Sequence, residues 1–160
     1  MFKKSSLTIN YLKGLRNLWF LSIDNNNLTN LHYNLFQDLT SLERLYIYDN
    51  QLERLDGRLW RNNRNLNIIY ISGNKIYAIE PNFINNLTNL SRLNLLNNVC
   101  TNELFVGEGG NLEPTIVPAL DTCFRNFRPP GPPFPPPPPP PGPVRRFHMV
   151  LDGELELTEM

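Results

Sequence analysis

The sequence predicts an α/β solenoid: a coil of stacked repeats with one parallel β-sheet along its concave side, a short C-terminal cap helix and a disordered proline-rich tail. Three observations carry that prediction. Asparagine recurs at intervals of 24 residues, at Asn26, Asn50, Asn74 and Asn98. The same apolar frame surrounds each of them. And 12 of the 15 prolines lie between Pro129 and Pro143, where the globular composition stops.

The frame reads Leu18, Leu21, Ile23, Asn26, Leu28, Leu31 in the first copy and Leu42, Leu45, Ile47, Asn50, Leu52, Leu55 in the second. The third copy is Leu66, Ile69, Ile71, Asn74, Ile76, Ile79; the fourth is Leu90, Leu93, Leu95, Asn98, with Cys100 where Leu28, Leu52 and Ile76 fell. Past each turn, Phe36, Trp60 and Ile84 share one register and Leu39, Asn63 and Leu87 another. Leu-x-Leu is a period-2 signal, so each copy opens on a short strand with its apolar residues on one side. One copy alone cannot bury that side, whereas stacked neighbours can. An inward asparagine offers two amide protons and a carbonyl oxygen to backbone groups at the turn and in the next copy. Asn63 breaks the apolar frame and is expected to expose or loosen one convex turn.

This pattern, L-x-x-L-x-L-x-x-N-x-L, resembles the leucine-rich repeat family in its 24-residue extracellular type, over about residues 4 to 124. The resemblance implies a right-handed superhelix with a concave parallel sheet, a recognition or adhesion role, and a secreted or cell-surface protein of the invertebrate kind.

Subtracting one repeat from Leu28, Leu31, Phe36 and Leu39 lands on Lys4, Leu7, Leu12 and Leu15. Residues 1–15 therefore read as the second half of a repeat whose strand half would precede Met1. With no polar cap over that layer, the chain is expected to be a fragment of a longer repeat protein. The repeats then span residues 16–99 and the cap residues 100–127. Val117, Leu120, Phe124 and Phe127 form the stripe of a short helix, with Pro118 in its first turn. Cys123 shares the stripe and Cys100 is inward in the fourth repeat. A disulfide between them would close a 23-residue loop, worth about 3 kcal/mol on the chain-entropy model. Two buried thiols are the alternative; as the only cysteines, both in the cap, they favour the bond. The region is similar to the cysteine-containing caps of secreted leucine-rich repeat proteins, which often carry four cysteines.

Asn27, Asn86 and Asn89 each open an N-x-Ser/Thr sequence, the acceptor pattern for glycosylation in a secreted chain. Beside the cysteine pair they favour the secretory pathway.

Side chains between the inward residues line the concave face in columns: Phe20, Arg44, Ile68, Arg92; then Ser22, Tyr46, Tyr70, Asn94; then Asp24, Tyr48, Ser72, Leu96. Tyr46, Tyr48 and Tyr70 are neighbours, flanked by Arg44 and Arg92. Tyrosine and arginine are enriched where interfaces concentrate their binding energy. A protein-binding face centred on these residues and Phe20 is expected.

Residues 128–144 cannot join a sheet or helix and are expected to be an extended polyproline segment. Phe134, Pro135, Pro136, Pro137 and Pro138 look like a ligand of EVH1 modules, and the longer run like a profilin or SH3 ligand. Those modules are cytosolic, so the segment supports a rival reading, an intracellular scaffold; a stalk that binds nothing is favoured instead. Residues 145–160, where Val150 to Leu157 roughly alternates apolar with acidic, are expected to be disordered.

Several classes are excluded. Fifteen basic and 15 acidic residues give a net charge of zero, against nucleic-acid binding by bulk attraction. No apolar run approaches the length of a membrane span, and no signal peptide is visible. His32 and His148 have no partners at metal-ligand spacing, and Gly107, Gly109 and Gly110 form no phosphate loop. Neither a metal nor another cofactor is expected, and an enzyme is not expected.

Overall fold

The computed structural model describes residues 9–107, 112–127, 146–151 and 153–158. The repeats give three-residue strands at 24-residue intervals: β1 (Phe20–Ser22), β2 (Arg44–Tyr46), then β4 (Ile68–Tyr70) and β6 (Arg92–Asn94). They pair in parallel without slippage, so Leu21, Leu45, Ile69 and Leu93 form one fully buried row. Between them, β3 (Arg54–Leu55) and β5 (Ala78–Ile79) make a second, two-stranded parallel sheet.

Each strand ends in a sharp turn, and its first residue is left-handed: Asn25 (φ 53°), Asp49 (52°), Gly73 (63°) and Asn97 (56°). Asn, Asp and Gly are the types that tolerate that conformation, so this register carried its own signature in the sequence. The ladder asparagines follow. Asn50 Nδ2 donates to Ile47 O at 3.1 Å in its own repeat and to Ile23 O at 3.0 Å in the preceding one, while Oδ1 accepts from Leu28 N at 3.1 Å. Asn74 and Asn98 repeat the geometry one and two coils on. Each side chain thus satisfies buried backbone groups of two coils at once, which ties neighbouring repeats in register.

The convex side is made of three-residue turns, regular enough at Gly57–Trp60 to be a 3₁₀ helix. Beneath them Phe36 stacks on Trp60 at 5.5 Å and Trp60 meets Phe83 edge-on at 5.7 Å. Phe83, not Ile84, continues the aromatic column, although both are buried. The expectation for Asn63 fails. It is fully buried, and its Nδ2 donates to Phe36 O at 2.9 Å and Leu39 O at 2.7 Å, a second bridge between coils. A polar residue breaks the frame there because two buried carbonyls, each holding one backbone N–H from Leu39 or Leu42, take a second donor from it across the coil.

The C-terminal region also departs from its expected form. β7 (Leu104–Val106) runs antiparallel beside β6, outside the 24-residue register. Two short helices follow instead of one: α1 (Glu113–Ala119) and α2 (Asp121–Asn126). Pro118 lies inside α1 rather than in the first turn of a longer helix; without an amide proton it breaks the ladder, and α1 ends one residue later. The inward stripe is Leu112, Ile116, Leu120 and Cys123, while Val117 is 44% exposed. Cys123 is bonded to Cys100, with their Cα atoms 5.2 Å apart, which fastens α2 to the fourth repeat.

At the other end, β8 (Arg146–Leu151) pairs antiparallel with β1, and β9 (Gly153–Thr158) with β8. The reading of residues 145–160 as disordered does not hold for these strands. Their alternating sequence suits a strand, and the outer edge of β1 supplies open backbone donors and acceptors. The sheet therefore runs β7-β6-β4-β2-β1-β8-β9, a parallel centre with antiparallel edges. The polyproline segment, Phe134 to Pro138 included, lies outside the described residues.

Candidate functional site

Strand pairing places the concave residues in rows across the coil. The first row is Phe20, Arg44, Ile68, Arg92 and then Val106 of β7; the second is Ser22, Tyr46, Tyr70, Asn94 and then Leu104. Side chains at these positions point away from the core because the residues between them point into it.

Five of the six residues singled out from the sequence touch one another. Tyr46 and Tyr70 stack at 4.8 Å with ring planes 12° apart, Phe20 meets Tyr46 edge-on at 5.0 Å, and Tyr48 lies 6.3 Å from Tyr46. Arg92 Nη1 donates to the Tyr70 hydroxyl at 3.3 Å, and this bond raises the guanidinium pKa further. Arg44 joins by another route, lying over the ring of Trp19 at 5.6 Å. Trp19, which packs beside Phe20, was not singled out from the sequence, because it precedes the strand and falls outside the alternating frame.

The third row is bonded rather than stacked. Asp24 accepts from the Ser22 hydroxyl and from Asn25 Nδ2, and shares a hydrogen bond with the Tyr48 hydroxyl. Burial pushes the Asp24 carboxyl up, but these donors outweigh it and the net displacement is downward. Burial and the bond to Asp24 both raise the Tyr48 phenol. Tyr48 is thereby held as a neutral donor with its ring against Tyr46.

β7 enlarges the face beyond what the repeats encode. Leu104 is 47% exposed and Val106 60% exposed, on either side of buried Phe105. They were invisible to a repeat-based reading because an antiparallel strand breaks the 24-residue register. The face therefore passes from aromatic at one end to aliphatic at the other, with an arginine above each half.

The remaining predicted positions are scattered. Asn86 and Asn89 are exposed on the convex side, with the Asn89 amide donating to Arg64 O at 3.0 Å, whereas Asn27 is half-buried beside the ladder. His32 is exposed and stacks on Tyr33 at 4.4 Å. Among the described residues no group of His, Cys, Asp or Glu is placed to hold a metal ion, and no helix is long and apolar enough to cross a membrane.

Residues 16–76 match the leucine rich repeat family. Among solved structures, a chain of the Toll–Spatzle complex, described as a molecular hub in Drosophila development and innate immunity, aligns with a TM-score of 0.58. Identity is 31%, over 59% of this chain and 12% of that one. The present chain thus spans about an eighth of the length of its solved neighbour. No curated protein sequence matches it. Repeated frame, asparagine ladder, family match and solved neighbour agree that this chain carries leucine-rich repeats, the matched ones lying in residues 16–76.

Proposed function

We propose that the chain is a non-catalytic recognition module of a secreted or cell-surface protein, binding a protein partner through its concave face. The observation that carries this reading is the chain of touching half-buried aromatic rings, Phe20 on the first row against Tyr46 and Tyr70 on the second, held by ring contacts and by Arg92. Pre-stacked rings offer wide contact area at little ordering cost. The Cys100–Cys123 bond supports an oxidising compartment, and likeness to a chain from a complex of two proteins, Toll and Spatzle, supports a protein partner.

Screening the secreted chain against extracellular proteins tests the reading. The Tyr46→Ala/Tyr70→Ala double variant should fold, by circular dichroism, and lose the partner that the parent chain captures. Retained affinity rules out the concave face. Mass analysis with and without reductant tests the compartment: a bonded pair and glycan mass at Asn27, Asn86 or Asn89 are expected, whereas free thiols together with profilin or EVH1 capture through Phe134–Pro138 would establish the intracellular scaffold.

A further inference from the structure

The charge on this face is laid out in rows, and the rows differ in how far the chain itself has neutralised them. Asp24, on the third row, is already engaged by Ser22, Asn25 and Tyr48. Asp49, at the turn beyond that row, is exposed and lies off the arginine row, its Oδ1 against Gly73. Arg44 and Arg92 are treated differently. Both are exposed, and the ion pairs among the described residues, Arg58–Asp56 and Arg125–Asp121, leave both without a carboxylate. What holds them is a ring face for Arg44 and a phenol oxygen for Arg92. These contacts fix the two guanidiniums in place without cancelling their charge, and so pre-organise them for an anion.

Their spacing is set by the sheet. Arg44 pairs with Ile68 and Ile68 with Arg92, so the arginines stand two strands apart, roughly 10 Å at normal strand spacing. Beside them, one step along the strands, runs the Tyr46–Tyr70–Asn94–Leu104 row. A charged row about 10 Å long beside an apolar row fits a helix lying across the strands, with acidic residues seven apart on one flank of an apolar stripe. Seven residues of helix rise about 10.5 Å.

Resting on the concave-face reading above, we infer that the partner presents an acidic amphipathic helix, its carboxylates on Arg44 and Arg92 and its apolar stripe on Tyr46, Tyr70 and Leu104. A sulfated polysaccharide would also meet the arginines, but it has nothing to place on the tyrosine and leucine row.

The probe is a labelled helical peptide carrying glutamates seven residues apart beside a leucine stripe, compared with the same peptide carrying lysines. Anisotropy against the full chain should favour the glutamate peptide by about tenfold at low salt, and less in high salt. Arg44→Glu/Arg92→Glu should invert the order, and Tyr46→Ala/Tyr70→Ala should weaken both peptides. Equal binding of both peptides, or an order unchanged by the arginine reversal, overturns the acidic preference. If both peptides then still depend on the tyrosines, recognition by the concave face survives that failure. Binding of neither peptide overturns the helical partner. Heparin binding lost in the arginine variant but untouched in the tyrosine variant also overturns it, in favour of a polyanion.

Discussion

The interior of the coil and its concave face are built from the same three-residue strands, yet the repeats are interchangeable in one and individual in the other. Inward, Leu21, Leu45, Ile69 and Leu93 are near copies, and the ladder asparagines make the same bonds in successive coils. Outward, the corresponding rows hold Phe20, Arg44, Ile68 and Arg92, or Ser22, Tyr46, Tyr70 and Asn94. The interior must satisfy the same packing and hydrogen-bonding condition at every step, so it repeats. The face carries no such condition. Variation there is free to encode recognition, and departure from the repeat is where function is best sought.

Breaking the interior should cost most. Asn50→Ala orphans Leu28 N and takes one of two amide donors from each of Ile23 O and Ile47 O, which keep Asn26 and Asn74; at about 1–3 kcal/mol for the buried orphan and about 1 kcal/mol for each lost bond, the loss should reach about 3 kcal/mol in urea unfolding. Asn63→Leu sharpens the comparison, because the apolar frame alone predicts a gain there. We expect a loss of about 2 kcal/mol, since Phe36 O and Leu39 O keep their backbone donors Leu39 N and Leu42 N but each loses its buried second bond. A more stable Asn63→Leu protein would mean that the second asparagine bridge contributes nothing.

Changes on the face should barely register in stability. Arg44→Ala with Arg92→Ala removes two exposed side chains and should move the unfolding midpoint by no more than about 0.5 kcal/mol; a larger loss would mean these arginines support the fold. The smallest effect is a pH dependence. Asp24 is displaced downward, so its contribution to stability is present above its ordinary value of 3.8 and is lost as pH falls through the lower folded value. Asp24→Asn should therefore flatten stability against pH in the acid range below about 4, measured by urea unfolding, and leave the slope near neutrality unchanged.

How far the sequence could be read followed from this same division. Period, strand positions, inward rows, ladder asparagines and the order of the concave columns were all legible, because each is a local pattern repeated four times. The cysteine pair was legible because it had no competitor. Asn63 was misread: a periodic frame records which position is inward, but not that two carbonyls of the preceding coil can take a second bond there. The single cap helix was misread because the stripe through Val117 ignored where Pro118 would interrupt the helical ladder. Trp19, Leu104 and Val106 were missed since their places depend on a neighbouring coil or an antiparallel strand.

The amino-acid order by itself determined the coil, because identical units that cannot bury their own apolar side have stacking as their common solution. Only the tertiary structure decided which residues meet across coils: Tyr46 on Tyr70, Arg44 on Trp19, β7 extending the face and β8 lying along β1. Those contacts join segments about one repeat apart, about half a repeat apart where β7 folds back on β6, or at opposite ends of the chain, and for Arg44 and Trp19 they also follow from ring orientation. None of these is a property of local sequence.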